Sequence, residues 1–98
     1  MKNMEFEWDD EKERINIQKH GLDFSTAAHV FSDDCRIEKY DHSHSDDEDR
    51  YIVIGSINGY LTVVTVSYTP RSNGTVIRII SARVSTKEEK EEYYNGYC

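Results

Sequence analysis

Residues 50–83, RYIVIGSINGYLTVVTVSYTPRSNGTVIRIISAR, contain most of the branched apolar residues of the chain. Twelve of the eighteen Ile, Val and Leu residues lie between Ile52 and Ile80, and β-branched residues at this density favour strands. The Asn58-Gly59 pair predicts a two-residue hairpin turn, because both central positions of such a turn adopt positive φ. The stretch therefore predicts three strands, at 50–57, 60–68 and 76–83.

The segment before this stretch predicts two helices. Asp10 and Glu13 fit a capping box that begins the first helix at residue 10. The helix ends before Gly21, since glycine readily adopts the left-handed conformation that terminates helices. Asp23 or Ser25 caps a second, short helix. Its apolar residues recur at the spacing of one buried face: Phe24, Ala27, Ala28 and Phe31.

The remaining segments complete an α+β protein. Residues 6–8 predict a brief edge strand, and residues 35–40 predict a further strand. Ser85 and Glu88 fit a capping box for a C-terminal helix that ends at about Tyr94. We therefore expect a small antiparallel sheet of about four strands, with two N-terminal helices and one C-terminal helix.

The predicted hairpin also indicates which residues share a face of the sheet. With Asn58-Gly59 in the turn, Tyr51 lies opposite Val66, and Arg50 lies opposite Ser67. Strict alternation along the last strand places Arg78 and Arg83 on opposite sides of it. Both faces have apolar centres, so either helices cover both faces or one face binds a partner. One face groups Tyr51, Val53, Val64, Val66 and Tyr68, and the other groups Arg50, Ile52, Ile54, Leu61, Val63, Thr65 and Ser67.

Length and composition exclude several classes of protein. The 98 residues correspond to a single domain, 1–98. No run approaches the roughly 18–20 apolar residues of a membrane span, and the N-terminus has no apolar signal-peptide core. Cys35 and Cys98 show no metal-ligand spacing, so we expect two free thiols. These features predict a cytoplasmic protein without a membrane partner.

Charge is distributed unevenly along a chain whose net charge is −7. Residues 1–50 have a net charge of −8, whereas residues 51–87 contain four cations and no acid. The guanidinium group matches phosphate oxygens bidentately, so Arg50, Arg78 and Arg83 on neighbouring strands could converge on one phosphate. Alternatively, these arginines pair with acids of the first half, and the sequence leaves both interpretations open.

Histidines provide two further candidates. His20 ends the first helix, where the helix dipole favours a protonated imidazole that can act as a general acid, although it could simply cap the helix. His42 and His44 alternate in the acidic loop 41–49 and could bind a metal, but a solvated loop is the preferred interpretation. Nucleotide-cofactor and serine-hydrolase motifs are absent from the sequence, and we expect neither metal nor cofactor.

Four segments, in order, resemble the BrnT toxins of bacterial type II toxin–antitoxin systems. The resemblance extends over about residues 5–94, and its most specific parts are the KHG helix end and the RIISAR strand. The segments are Phe6–Asp9, Asn16–Gly21 followed by Phe24 and Val30-Phe31, Asp49–Tyr51 continuing into Ile54-Gly55, and Arg78–Arg83.

The resemblance implies a fold related to the RelE-like ribonuclease toxins, which cut RNA without a metal and inhibit translation. It also implies a BrnA-type antitoxin with a ribbon-helix-helix part, so that operator DNA is contacted only through the antitoxin. A non-catalytic module that binds an antitoxin-like regulator remains the alternative, favoured by the acidic net charge. A metal-dependent hydrolase that uses His42 and His44 is a third possibility.

For a toxin of this kind, the resemblance implies attack of a ribose 2′-OH on the adjacent phosphate. Arg50 and Arg83 would hold the phosphate and its developing charge, and His20 would act as acid or base. Arg78 and Lys87 would be secondary phosphate contacts. Tyr51 or Tyr93 would stack on a base.

Overall fold

A five-stranded sheet forms the centre of the protein, whose computed structural model describes residues 4–57 and 62–96. The strand order is β1-β5-β4-β3-β2. The strands are β1 (Glu5–Glu7), β2 (Ile37–Tyr40), β3 (Tyr51–Ser56), β4 (Val63–Arg71) and β5 (Val76–Val84), and the helices are α1 (Asp10–His20), α2 (Phe24–Ala27) and α3 (Lys87–Tyr94). The α+β class is confirmed, but the sheet is mixed rather than antiparallel, because β1 pairs with β5 in parallel.

The N-caps of two helices lie one residue away from their predicted positions. Asp9, not Asp10, caps α1, because its side chain accepts hydrogen bonds from two backbone N–H groups of the first turn. Gly21 ends α1 with φ 69°, as predicted. Asp23 caps α2, which continues into a 3₁₀ segment over Ala28–Ser32. The capping box of α3 is formed by Thr86 and Glu89 rather than by Ser85 and Glu88.

The register between β3 and β4 differs by two residues from the predicted one. Tyr51 pairs with Tyr68, not with Val66, and the N–H of Ile57 donates to the Thr62 carbonyl at 3.3 Å. The predicted Asn58-Gly59 turn lies outside the described residues. Because the difference is an even number of residues, the described residues of both strands keep their predicted faces.

An irregularity in β5 reverses the alternation that the sequence predicted there. Ser67 pairs with Ser81, but the next residue, Tyr68, pairs with Ile79, so Ile80 is one extra residue on β5. As a result, Arg78 and Arg83 lie on the same face, and the prediction that they lie on opposite sides is wrong. The faces stay distinct, because Ile79 and Ala82 are buried on the other side of the strand.

The main core lies between one sheet face and the segment that contains α2 and the 3₁₀ turn. Phe24 and Val30 are completely buried there against residues of β3, β4 and β5. Gly55 permits this approach, since a Cβ atom at this position would lie 2.8 Å from Val30 Cγ2. On the opposite face, Ile54 and Val63 are also completely buried, and α3 packs against β3. Helices therefore lie on both faces of the sheet.

The predictions of free thiols and of no membrane span can be compared with the described residues. Cys35 is disulfide-bonded, so the expectation of a free thiol is wrong for this residue. Cys98 lies outside the described ranges. Within residues 4–57 and 62–96, no helix is both long and apolar enough to cross a bilayer.

Candidate functional site

The attachment of α1 to the edge of β5 creates the candidate site. β1 covers β5 only along Val76–Arg78, and α1 lies beside the rest of that edge. Asn16, which is buried in α1, accepts from the Ala82 N–H at 3.0 Å and donates to the Ala82 carbonyl at 2.9 Å. Its amide also donates to the Leu22 carbonyl at 2.8 Å. Asn16 thus satisfies the β5 edge as a neighbouring strand would.

A groove of about 210 Å³ runs between α1 and β5. None of its lining residues is acidic, although the chain as a whole has a net charge of −7. Two α1 acids are engaged elsewhere, because Glu11 pairs with Arg14, and Glu13 accepts from the Phe24 N–H at 2.9 Å. The groove is therefore cationic. It is lined by Lys12, Ile15, Asn16, Lys19, His20, Ile80 and Ser81.

Arg83 lies farther along β5 from this groove, and its charge is balanced by Glu89. It lies two residues beyond Ser81 on the same face, which places the two Cα atoms about 7 Å apart. Its guanidinium donates to both carboxylate oxygens of Glu89, at 2.6 and 3.0 Å. Glu89 also accepts from the Thr65 hydroxyl at 3.0 Å and from the Thr86 N–H at 2.8 Å. Arg83 is consequently held in one orientation.

The protonation states of this pair follow from those contacts. Hydrogen bonds from Arg83, and then from Thr86 and Thr65, lower the pKa of Glu89 to about 2. The same contact with Glu89 raises the pKa of Arg83. At neutral pH the pair is therefore fully charged, and Glu89 is too weak a base to accept a proton from a hydroxyl group.

The other two cations predicted to contact phosphate have different surroundings. Arg78 lies on the same face of β5 and donates to Glu7 Oε2 at 3.0 Å. Glu7 also approaches Arg71, with 3.6 Å between the charged atoms. Lys87 is exposed in the first turn of α3 and forms no ion pair with any part of the chain that the structure describes. Arg78 is thus partly neutralised, and Lys87 is not.

Arg50 lies apart from this surface. It lines a cleft of about 260 Å³ with His44, Asp46, Asp47 and Glu48, just before β3 begins. Arg83 pairs through Thr65 with Ile54, four residues beyond Arg50, so strand spacing places the two arginine Cα atoms about 16 Å apart. The structure therefore places His20, Ser81 and Arg83 along one side of β5, but it does not bring Arg50 to them.

The two tyrosines predicted to stack on bases occupy structural positions as well. Tyr51 is half-buried in a row of rings, 5.8 Å from Tyr68 and 5.4 Å from Tyr40 between ring centroids. It lies on the face opposite Arg83. The Tyr93 hydroxyl donates to Asp33 Oδ2 at 2.5 Å and lies 3.3 Å from the Ser56 hydroxyl. Both Tyr51 and Tyr93 are half-buried.

The histidine-rich loop shows no arrangement of ligands around a common point. His44 Nδ1 lies 2.9 Å from Asp41 Oδ2, and the His42 ring packs against Tyr40 at 4.6 Å. Within residues 4–57 and 62–96, no group of three or more His, Cys, Asp or Glu side chains is placed to hold a metal ion. The third interpretation, a metal-dependent hydrolase, therefore has no ligand set in these ranges.

Sequence reasoning missed the residues that surround His20 and Arg83. Lys12, Asn16 and Lys19 follow the i, i+4, i+7 spacing of one helix face, which was a usable signal. Glu89 was hidden by the competing capping box one residue earlier. Ser81 could not be placed on the same side as Arg78, because the extra residue at Ile80 is not evident from the sequence.

These elements describe a small α+β protein with a cationic surface along one sheet edge, which is suited to binding phosphate groups. A protein-family model described as the ribonuclease toxin BrnT of type II toxin–antitoxin systems matches residues 8–89. The chain therefore belongs to the BrnT family of ribonuclease toxins, which act in pairs with an antitoxin, and the expected family is confirmed. A comparison with curated proteins found no match.

Proposed function

We propose that this chain is the toxin of its toxin–antitoxin pair and cleaves RNA in the cytoplasm without a metal ion, which inhibits translation. The observation that carries the proposal is the alignment of His20, Ser81 and Arg83 beside a groove without acidic lining residues. Phosphates require positive charge to bind, and a protein with net charge −7 offers it at few places. This surface is one of them.

The proposed reaction is an internal displacement at phosphorus. The 2′ oxygen of a ribose bonds to the adjacent phosphorus, while the bond from phosphorus to the 5′ oxygen of the next nucleotide breaks. The products are a 2′,3′-cyclic phosphate and a free 5′-OH. His20 transfers a proton, either from the attacking hydroxyl as a base or to the leaving oxygen as an acid. Arg83 stabilises the charge that develops on the non-bridging oxygens.

The remaining predicted residues have supporting roles in this proposal. Arg78 and Lys87 contact phosphates along the same surface. Tyr51 lies on the opposite face of the sheet and would stack only on a base distant from the cleaved bond. Arg50 contacts a more distant phosphate, because about 16 Å separates it from Arg83. Glu89 orients Arg83. We also propose that the antitoxin is of the BrnA type with a ribbon-helix-helix part, and that it alone contacts operator DNA.

A non-catalytic role in binding an antitoxin is the second candidate function. The observation that favours it is the bidentate contact from Arg83 to Glu89, which neutralises the central cation of the proposed site. In this case the chain would bind its antitoxin with no RNA cleavage at any concentration of the protein.

Inducible expression in bacteria distinguishes these two functions. Expression of the parent chain is expected to arrest growth and degrade RNA, and His20→Ala or Arg83→Ala is expected to abolish both effects. Arg50→Ala should weaken them less, and the Arg50→Ala/Arg83→Ala double variant should be inactive. Arg14→Ala is the matched control, since Arg14 is exposed on α1, pairs with Glu11 and does not line the groove.

Each outcome of this experiment has a definite meaning. If the His20 and Arg83 variants arrest growth as strongly as the parent, the assignment of the site is wrong. If the folded parent chain does not affect growth or RNA, the binding function is favoured. Cleavage of RNA by the purified chain in excess EDTA, equal to cleavage in magnesium, would support the metal-free reaction, whereas loss of cleavage in EDTA would contradict it.

A further inference from the structure

Two lysines, Lys12 and Lys19, lie on the α1 wall of the α1–β5 groove. Neither forms a hydrogen-bonded ion pair among the described residues, although Asp9 interacts electrostatically with Lys12. They are seven residues apart, which corresponds to about 10 Å along the helix axis. The two lysines therefore provide positive charge on the α1 side of the groove at positions about two helical turns apart.

The α1 dipole does not account for both charges. The C-terminal end of a helix has a partial charge of about half a negative elementary charge, which a single cation in the last turn can balance. Lys19 and His20 both lie in that last turn, and Lys12 lies near the opposite end, where the dipole disfavours a cation. Asp9 offsets that end, but its carboxylate accepts two backbone N–H groups and caps the helix.

The opposite wall supplies a hydrogen-bond donor and a short apolar surface. Ser81 is half-buried, and no hydrogen bond from its hydroxyl to another described residue is present. Ile80, the extra residue of β5, lines the groove beside it. A phosphate between the two walls would meet ammonium groups on one side and a hydroxyl donor on the other.

We propose that this groove is a phosphate subsite for single-stranded RNA, in which Lys12 and Lys19 bind phosphates beside the one that Arg83 contacts. Ser81 donates a hydrogen bond to the same segment of the RNA backbone. The groove and Arg83 then form one continuous path along β5, and the RNA strand follows the edge of the sheet. This inference rests on the proposed function, since it assumes that RNA is the substrate.

The test measures RNA binding separately from cleavage. The probe is a fluorescent single-stranded RNA with a 2′-O-methyl group at every position, which removes the attacking hydroxyl. Its dissociation constant is measured by anisotropy between 50 and 200 mM salt, a range over which phosphate contacts weaken strongly. The variants are Lys12→Ala, Lys19→Ala and, as a matched control, Lys39→Ala, which removes the same charge at the far strand β2, where Lys39 pairs with Glu92.

The salt dependence identifies phosphate contacts directly. Each lysine that contacts a phosphate contributes about 0.7 to the slope of log affinity against log salt for a single strand. We expect Lys12→Ala and Lys19→Ala each to lower the slope by about this amount, with Lys39→Ala unchanged. In one outcome, the parent chain binds and cleaves RNA while Lys12→Ala and Lys19→Ala show the same salt slope as Lys39→Ala. That result would contradict the phosphate subsite but leave the proposed function intact. If the parent neither binds nor cleaves RNA, both fail.

Discussion

Glu89 connects three features that a sequence treats separately: a helix cap, an ion pair and a buried hydroxyl. It closes the capping box of α3, holds both terminal nitrogens of Arg83, and accepts from Thr65. The Thr65 hydroxyl lies 2.8 Å from that of Ser85, which is buried. One carboxylate thus fixes the arginine of the proposed site relative to both β4 and α3.

The first prediction separates the ion pair from the cap. Glu89→Gln keeps a residue that completes a capping box but removes the charge opposite Arg83. We expect a loss of about 1 kcal/mol in the free energy of unfolding at pH 7, since the pair is partly exposed. Urea denaturation measures it. The matched control is Glu88→Gln, which removes the same charge from the same helix turn at an exposed residue that forms no ion pair with a described residue.

The pH dependence of this difference has a defined sign. The folded-state pKa of Glu89 is lowered from 4.5 to about 2, so its stabilisation is present above pH 4.5 and is lost as the pH falls through about 2. The stability gap between Glu89→Gln and the parent should therefore narrow over this interval. A gap that is equal for Glu88→Gln and Glu89→Gln at pH 7 would show that Arg83 and Glu89 are not energetically coupled.

At this scale, the sequence could narrow the choice of caps but not decide it. Ser85 with Glu88 and Thr86 with Glu89 both fit the capping-box pattern. Tertiary contacts decide between them, because Ser85 is buried against Thr65 and Arg83 reaches Glu89 rather than Glu88. Neither contact is visible from local spacing.

Asn16 joins α1 to the edge of β5 by hydrogen bonds. Asn16 bonds both backbone groups of Ala82, which would otherwise be buried at an unpaired sheet edge. We expect Asn16→Ala to lower the free energy of unfolding by about 3 kcal/mol, because a buried donor and buried acceptors lose their partners. Alanine keeps the helix propensity high, so the loss reports the edge contact.

Two measurements check this prediction. Urea denaturation gives the loss in stability, and amide hydrogen exchange at Ala82 should become faster in Asn16→Ala. Gln18→Ala on the exposed side of α1 is the matched control. It should change the free energy of unfolding, and the free energy of opening derived from exchange at Ala82, by no more than about 0.5 kcal/mol. Similar losses in the two variants would mean that the helix, and not the Asn16 contact, determines the stability of this edge.

The elements themselves were largely predictable, whereas their pairing was not. Concentrated β-branched residues indicated β3, β4 and β5, and Gly21 marked the end of α1. The Ile79-Ile80 pair gave no indication that one of the two is an extra residue, since both are equally apolar. That single irregularity decides whether Arg78 and Arg83 share a face. Local patterns specify elements, but register depends on partners distant in sequence.

Over the whole molecule, charge of each sign is separated in space. The groove presents Lys12 and Lys19, whereas the loop beside Arg50 presents acids. This separation reconciles a net charge of −7 with an RNA-binding function. At 0.1 M salt, screening limits the distance over which the charges of each region act to about 10 Å. Only at low salt do the acids weaken RNA binding across the whole surface.

Arg50 is the residue for which this screening argument gives the sharpest prediction. Asp46→Asn/Asp47→Asn removes two acids that line its cleft. If Arg50 contacts RNA, this variant should bind the 2′-O-methyl probe about threefold more tightly at 0.15 M salt, which matches an exposed charge interaction of roughly 0.6 kcal/mol. The control, Asp34→Asn/Glu91→Gln, removes two exposed acids that lie outside the cleft. At 0.01 M salt both variants should bind the probe more tightly than the parent chain, because charges up to about 30 Å apart then still interact. Equal affinities for the two variants at 0.15 M would remove Arg50 from the RNA path and confine binding to β5 and its groove.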